Sequence, residues 1–136
     1  MPLRIFNTTR GTLLAERAGE ATSAWARMKG LLGRRELPVG EGLLIAPCNS
    51  IHMFFMRFPI DALFLDGDGA VVKLFAALPP WRATWVYPNA RSVLELPAGV
   101  AAATGTVEGD RLSFERTALP PPPALRATSA EGRGDL

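Results

Sequence analysis

The strongest constraint on the fold is a turn signal near the middle of the chain. Residues 66–69 (DGDG) separate two apolar runs, 62–65 and 70–75. Asp and Gly adopt the positive φ angles that tight hairpin turns require, and the flanking runs are rich in β-prone residues. The pattern therefore predicts a β-hairpin over residues 62–75.

Other short runs also predict strands. Residues 3–6 and 12–17 flank a segment containing Asn7 and Gly11, which indicates an opening hairpin. The remaining predicted strands cover residues 43–46, 50–58, 92–96 and 111–114. The stretch 50–58 is rich in aromatic residues and stops at Pro59, which is typical of a strand that is buried on at least one face.

Two helical segments interrupt the strands. Thr22 or Ser23 can cap a helix through Trp25, Met28 and Leu32, since these apolar residues recur at helical spacing. Residues 97–105 predict a short helical turn that leads to a Gly-Asp turn and the last strand. The fold class predicted is mainly β (α+β): a single-domain β-barrel or sandwich with one N-terminal helix and a short helical turn before the last strand.

Composition sets the domain limits and excludes several classes of protein. With 136 residues the chain is about one domain long. We predict one β-rich domain over residues 1–117 and a disordered tail over 118–136, where four consecutive prolines precede a stretch with no aromatic residue. The net charge is +2, and the basic residues are dispersed, which disfavours nucleic acid as a partner.

The compartment is predicted from absences in the sequence. The single cysteine cannot form an internal disulfide, and the N-terminus lacks the apolar run of a signal peptide. No apolar run approaches the roughly 18 residues of a membrane span. These features predict a cytoplasmic protein with no membrane partner, and they leave its oligomeric state open.

Residues 48–61 contain the only cysteine and the only histidine of the chain. A thiol enzyme would use Cys48 as nucleophile and His52 as base, oriented by Asp61. In an extended segment the Cα atoms of Cys48 and His52 would be roughly 13 Å apart, so a direct pair would need a bend. The alternative is that Cys48 is a small buried hydrophobe and His52 a buried, neutral core residue beside Phe54 and Met56.

A metal site in this stretch is disfavoured by the same strand alternation. Cys48, His52, Met53, Met56 and Asp61 include soft ligands that would suit copper or zinc. Alternation would place the two methionines on opposite faces, and the chain has no second histidine or cysteine. The sequence therefore predicts packing roles for both methionines, and neither a metal nor a cofactor.

Ligand-binding candidates come from polar and aromatic residues near strand ends. Arg57, Arg82 and Glu95 are the polar candidates, together with Asp61. The Asp61 carboxylate would be exposed at a strand end in a binding site, or would belong to an internal salt bridge or a turn-capping network. Trp81 and Trp85, with Tyr87, lie within seven residues broken by prolines and suit a ligand platform. The alternatives are internal ion pairs for the charged residues and a cap on the core for the rings.

The chain resembles the domain-of-unknown-function family 192 over about residues 3–115. The resemblance is carried by residues 30–32 (GLL), 42–45 (GLLI), 48–61, 64–66 (FLD), 80–82 (PWR), 94–99 (LELPAG) and 109–110 (GD). It implies a shared β-rich fold and no settled activity. The family commonly has Thr at the position of Met53, so a role of the threonine hydroxyl cannot be transferred to this chain.

The end of the domain, with Gly105, Gly109 and Asp110, also resembles the Gly-Asp turn of double-psi and related cradle-loop barrels.

Three functions are consistent with these residues. The leading hypothesis is a non-enzymatic binding module whose aromatic loop 79–88 and polar residues around His52, Arg57 and Asp61 line a site for a small molecule or partner segment. The enzyme hypothesis assigns thiol chemistry to Cys48. The third hypothesis is single-stranded nucleic-acid binding through Arg82 and Arg91 beside exposed rings.

Overall fold

The computed structural model describes residues 2–116, which form seven strands and two short helices. In chain order the elements are β1 (Leu3–Asn7), β2 (Thr12–Ala21), α1 (Ala24–Lys29), β3 (Glu41–Ile45), β4 (Ile60–Leu65), β5 (Val71–Leu78), β6 (Ser92–Pro97), α2 (Val100–Thr104) and β7 (Leu112–Arg116). The mainly-β prediction is confirmed. The predicted tail, residues 118–136, lies outside the described residues.

The strands form one curled sheet in the order β5-β4-β6-β3-β2-β1-β7, which makes a half-barrel. Strands β2 and β3 are parallel, and every other neighbouring pair is antiparallel. The two edges of the sheet meet at one end, where the N–H of Val71 donates to the carbonyl of Asp110 at 2.8 Å.

The predicted central hairpin is confirmed, and its turn joins the edges of the sheet. Strands β4 and β5 pair with Leu63 opposite Leu74, and the Asp66 carboxylate accepts the N–H of Ala70 at 2.9 Å. Gly69 has φ +83, and a Cβ there would lie 2.7 Å from the carbonyl oxygen of Leu112. Only glycine combines this backbone angle with so close an approach to β7.

Alternation along the central strands divides the core into two clusters. One cluster contains Leu63 and Leu65 of β4 with Leu94 and Leu96 of β6, packed against side chains of β1, β2 and β7. The other faces the opposite way and contains Ala62, Phe64 and Val93, covered by residues of the connecting loops. The second face of the sheet is thus closed by irregular chain, and the pocket described below lies there.

Helix α1 begins where the sequence predicts and ends earlier. The Ser23 hydroxyl accepts the N–H of Ala26 at 3.1 Å, and Gly30, with φ 49, ends the helix after Lys29. The predicted apolar face is not buried, since Trp25 is 72 % exposed and Met28 69 %. The predicted opening hairpin, the strand at 92–96, the helical turn and the last strand are confirmed.

The prediction of a strand over residues 50–58 is wrong. Residues 46–59 form a loop (loop 46–59), which is joined to the loop 79–91 by an isolated bridge between His52 and Ala83 and by further backbone hydrogen bonds, such as that from the N–H of Thr84 to the carbonyl of Ile51 at 2.9 Å. Phe55 has φ 66, which an extended strand does not permit. Because strand alternation fails here, Met53 and Met56 both pack into the same core cluster instead of diverging.

Helices α1 and α2, the two in residues 2–116, are too short to cross a bilayer. The cytoplasmic location stays a prediction.

Candidate functional site

The candidate site is a pocket of about 340 Å³ between helix α1, loop 46–59 and strands β3 and β6. Its volume lies at the lower end of the range for small-molecule sites. Its apolar walls come from Leu31, Ile45 and Ile51. Its other chemically distinctive lining residues are Arg27, Met28, Cys48, His52, Met56 and Glu95.

Glu95 is the most unusual of these residues. It lies in the middle of the sheet, between Leu43 of β3 and Ala62 of β4, and alternation points its side chain to the same face as Val93. Only 6 % of the residue is exposed. Burial raises the pKa of the Glu95 carboxyl to about 7, and within residues 2–116 no hydrogen bond or positive charge counters that effect.

Arg27 contributes a second polar group whose hydrogen-bonding capacity is not fully used. It projects from α1, and its Nη1 donates to the carbonyl oxygen of Pro47 at 3.2 Å, which links the helix to loop 46–59. Its Nε is buried and has no hydrogen-bond partner among the residues that the structure describes. Among the polar groups of the lining, the Glu95 carboxyl and the Arg27 Nε–H are thus two that are largely buried and have no hydrogen-bond partner within residues 2–116.

Cys48 lines the same pocket in a form unsuited to nucleophilic attack. Its thiol donates to the carbonyl oxygen of Ser50 at 3.1 Å. Burial raises the pKa of the Cys48 thiol, and the charge of Glu95 raises it further. These effects outweigh the opposing effects of the Ser50 hydrogen bond and the Arg27 charge. A thiol nucleophile needs the opposite shift, toward the thiolate.

His52 also lines the pocket, but the prediction that it is buried in the core is wrong. The residue is exposed, its Nδ1 accepts the N–H of Phe54 at 3.3 Å, and its ring stacks on that of Phe54 with centroids 5.2 Å apart. The error comes from the strand assignment, because loop 46–59 turns His52 and Phe54 outward while Met56 stays buried.

Asp61 neither lines the pocket nor lies exposed at a strand end, and of its two predicted alternatives the structure shows the internal one, a network of hydrogen bonds from backbone N–H groups. The residue is 0 % exposed. Its carboxyl accepts the backbone N–H groups of Ala77 at 2.8 Å, Gly99 at 3.2 Å and Ala101 at 2.8 Å. It therefore fastens β4 to the end of β5 and to the start of α2, and its place in the fold gives it no contact with the pocket lining.

The predicted aromatic platform is divided between the surface and the core. Trp81 is 57 % exposed, and Trp85 84 %. Arg57 and Arg82 are exposed as well, and none of these four residues lines the pocket. Tyr87 packs into the core, with its ring 5.0 Å from that of Phe64.

Arg27 was not among the residues predicted from the sequence, because the prediction of this helix rests on its cap and on the spacing of its apolar residues alone. Its position four residues after the Ser23 cap is the one local signal that places it in the last turn of α1.

Among residues 2–116, no three His, Cys, Asp or Glu side chains come together in a group that could hold a metal ion.

The fold and the pocket define a class of small mainly-β domain, a half-barrel with an open pocket on one face of its sheet. The chain belongs to the DUF192 family, described as Uncharacterized ACR, whose family model matches residues 5–114. The resemblance seen in the sequence is thereby confirmed.

Three relatives illustrate this membership. A UPF0127 protein of Thermococcus sibiricus is 32% identical over 127 residues, which cover 87% of this chain and 81% of that protein. A UPF0127 protein of Pyrococcus furiosus is 31% identical, over 82% of this chain and 98% of that one. The crystal structure of a protein of unknown function from Novosphingobium aromaticivorans matches with a TM-score of 0.72 and 25% identity, covering 83% of this chain and 84% of that chain.

Proposed function

We propose that the protein is a non-enzymatic binding module that holds a small molecule in the pocket beside α1. The observation that carries the proposal is the Glu95 carboxyl, which is buried, faces the pocket and has no hydrogen-bond partner within the described residues. Burial of a carboxyl that has no protein partner costs free energy, and a ligand that donates a hydrogen bond to it from the pocket would offset that cost.

The lining indicates what such a ligand contains. Glu95 calls for an N–H donor, and the guanidinium group of Arg27, which lines the same pocket, suits an acceptor such as a carbonyl or carboxylate oxygen. Leu31, Ile45 and Met56 add apolar surface to the lining. The ligand that fits is a compact molecule with an apolar body, one donor and one acceptor.

Thermal melts against a panel of metabolites, glycans and short peptides test the proposal. A bound ligand at about 100 times its Kd stabilises the fold by about 2.7 kcal/mol, which shifts the Tm of a domain this size by roughly 10 °C. Glu95→Gln should lose most of that shift, and Glu36→Gln, an exposed acid outside the pocket, should retain it. The absence of any shift across the panel would remove the proposal.

A thiol-dependent enzyme is the alternative, supported by the presence of Cys48 and His52 in one pocket. The raised pKa of the Cys48 thiol argues against it. Iodoacetamide labelling as a function of pH separates the two. Labelling that rises only well above pH 8.5 supports a structural thiol, whereas fast labelling at neutral pH supports the enzyme.

A further inference from the structure

Loops 46–59 and 79–91 expose a group of large aromatic rings, which includes Trp81 of the predicted ligand platform. Phe55 is 71 % exposed and Trp81 57 %, and their ring centroids are 4.9 Å apart. Phe54, 41 % exposed, lies 6.1 Å from the Trp81 ring. These three residues are called the aromatic surface here, and Trp85 is exposed further along the same loop.

The backbone holds two of these rings outward at a cost in conformational free energy. Phe55 has φ 66 and Trp81 has φ 67, an angle that bulky side chains rarely adopt. Trp81 is kept in place by its N–H, which donates to the carbonyl oxygen of Met53 at 2.8 Å. Strained, exposed apolar residues on a monomeric surface mark a place where another body docks.

The charges around the aromatic surface have one sign. Loops 46–59 and 79–91 carry Arg57, Arg82 and Arg91 and contain no Asp, Glu or Lys. Arg57 and Arg82 are exposed and make no ion pair within residues 2–116. The occupant of this surface is therefore both apolar and anionic.

We infer that the aromatic surface docks on the surface of an anionic lipid bilayer. Tryptophan and phenylalanine side chains that protrude this far fit a deformable apolar layer, whereas a peptide would need a groove that partly covers them. The guanidinium groups of Arg57 and Arg82 then contact lipid phosphates. Each of these arginines should increase partitioning of the protein to the bilayer by about fivefold. The expectation of no membrane partner rested on the lack of a membrane span, which surface docking does not require.

Two other occupants fit less well. Single-stranded nucleic acid stacks its bases on free ring faces, but Phe54 stacks on His52, and the Phe55 and Trp81 rings are tilted by 60° against each other. A second copy of the chain would bring the same arginines together across the interface, and like charges oppose such a contact.

Vesicle co-sedimentation tests the inference. The wild-type chain should sediment with vesicles of phosphatidylcholine and phosphatidylserine at low salt, and much less with phosphatidylcholine alone. Phe55→Asn/Trp81→Asn should abolish sedimentation and leave the Tm unchanged or higher, because asparagine tolerates positive φ. Arg57→Gln/Arg82→Gln should weaken partitioning by about twenty-fivefold, at about fivefold for each arginine.

Two control variants show whether binding depends on this surface in particular. Val39→Asn/Arg35→Gln changes an exposed apolar residue and an exposed arginine outside both loops and should sediment like the wild type. Glu95→Gln should also sediment like the wild type. Loss of ligand binding in the pocket can therefore be told apart from loss of membrane binding. The inference is overturned if the wild type stays in the supernatant, if it binds oligo-dT or an acidic peptide instead, or if it forms a dimer that Phe55→Asn/Trp81→Asn dissociates.

Discussion

The carboxyl of Asp61 and the backbone N–H of Ala101 are joined by a hydrogen bond of 2.8 Å that links strand β4 to the first turn of α2. The same oxygen accepts the N–H of Gly99, and the other oxygen accepts the N–H of Ala77 near the end of β5. One buried side chain thus holds together three segments that are far apart in the sequence.

Asp61→Asn is expected to destabilise the protein by about 3 kcal/mol, because an amide has only one acceptor oxygen for these three donors and leaves buried N–H groups without partners. Urea melts measure the change, with Asp68→Asn in the exposed hairpin turn as the matched control. Equal midpoints for the two variants would show that the Asp61 network contributes little to stability.

A second network makes the fold sensitive to acid. Hydrogen bonds from Arg10 and Asn7 hold the pKa of the Asp110 carboxyl down at about 2, below its ordinary 3.8. The stability that this carboxylate contributes is present above about pH 3.8 and is lost as the pH falls toward 2.

Removing one donor of this network should therefore move acid unfolding to higher pH. Asn7→Ala takes away the hydrogen bonds of its amide to Asp110, 2.9 Å, and Thr106, 3.0 Å, and should cost about 1–3 kcal/mol at neutral pH. Circular dichroism against pH tests this, with exposed Asn89→Ala as control. An unchanged acid midpoint in Asn7→Ala would contradict the assignment.

Two neighbouring residues of loop 46–59 should respond very differently to truncation. Met53 is 1 % exposed, so Met53→Ala should cost about 2–5 kcal/mol through loss of packing. His52 is exposed, so His52→Ala should cost no more than about 0.5 kcal/mol. Denaturant melts of both variants test this, and a strongly destabilised His52→Ala would mean that the imidazole is a core residue after all.

Glu95 should make the protein less stable as the pH rises from about 4.5 to 7. Its carboxyl pKa is about 7 in the fold against 4.5 in the unfolded chain, so between these values the unfolded chain releases a proton that the fold retains. The free energy of unfolding should fall by about 3 kcal/mol across that window and level off above it.

Replacing the carboxyl removes this dependence. Glu95→Gln cannot ionise, so the difference in unfolding free energy between variant and wild type should grow in favour of the variant from pH 4.5 to 7. Urea melts at several pH values measure that difference. A difference that stays constant with pH would mean that the carboxyl is well solvated.

The local part of the fold could be predicted from the sequence. The DGDG turn, the Ser23 cap and the glycines around the helical turn each determine the conformation of only a few neighbouring residues. The hairpin of β4 and β5, the start of α1 and the short helix α2 therefore lie where the sequence predicts them. Residues 50–58 could not be predicted in this way, because their aromatic content favours a strand. Their conformation depends on Phe55 at positive φ and on contacts with a loop some thirty residues later in the chain.

The candidate site was predicted only in part, for a related reason. Cys48, His52 and Glu95 stood out as chemically distinctive residues, and all three line the pocket. The burial of Asp61 and the unpaired Nε of Arg27 depend on which segments pack together across the sheet, and no local pattern carries that information.

The buried Glu95 carboxyl faces the pocket and has no hydrogen-bond partner within residues 2–116, and ¹³C NMR of that carboxyl tests most directly whether it binds a ligand. In the free protein its chemical shift should titrate with a pKa of about 7. A ligand from the thermal-shift panel that donates a hydrogen bond to the carboxylate should lower that pKa. A pKa near 4.5 in the free protein, unmoved by a compound that raises the Tm, would contradict the account.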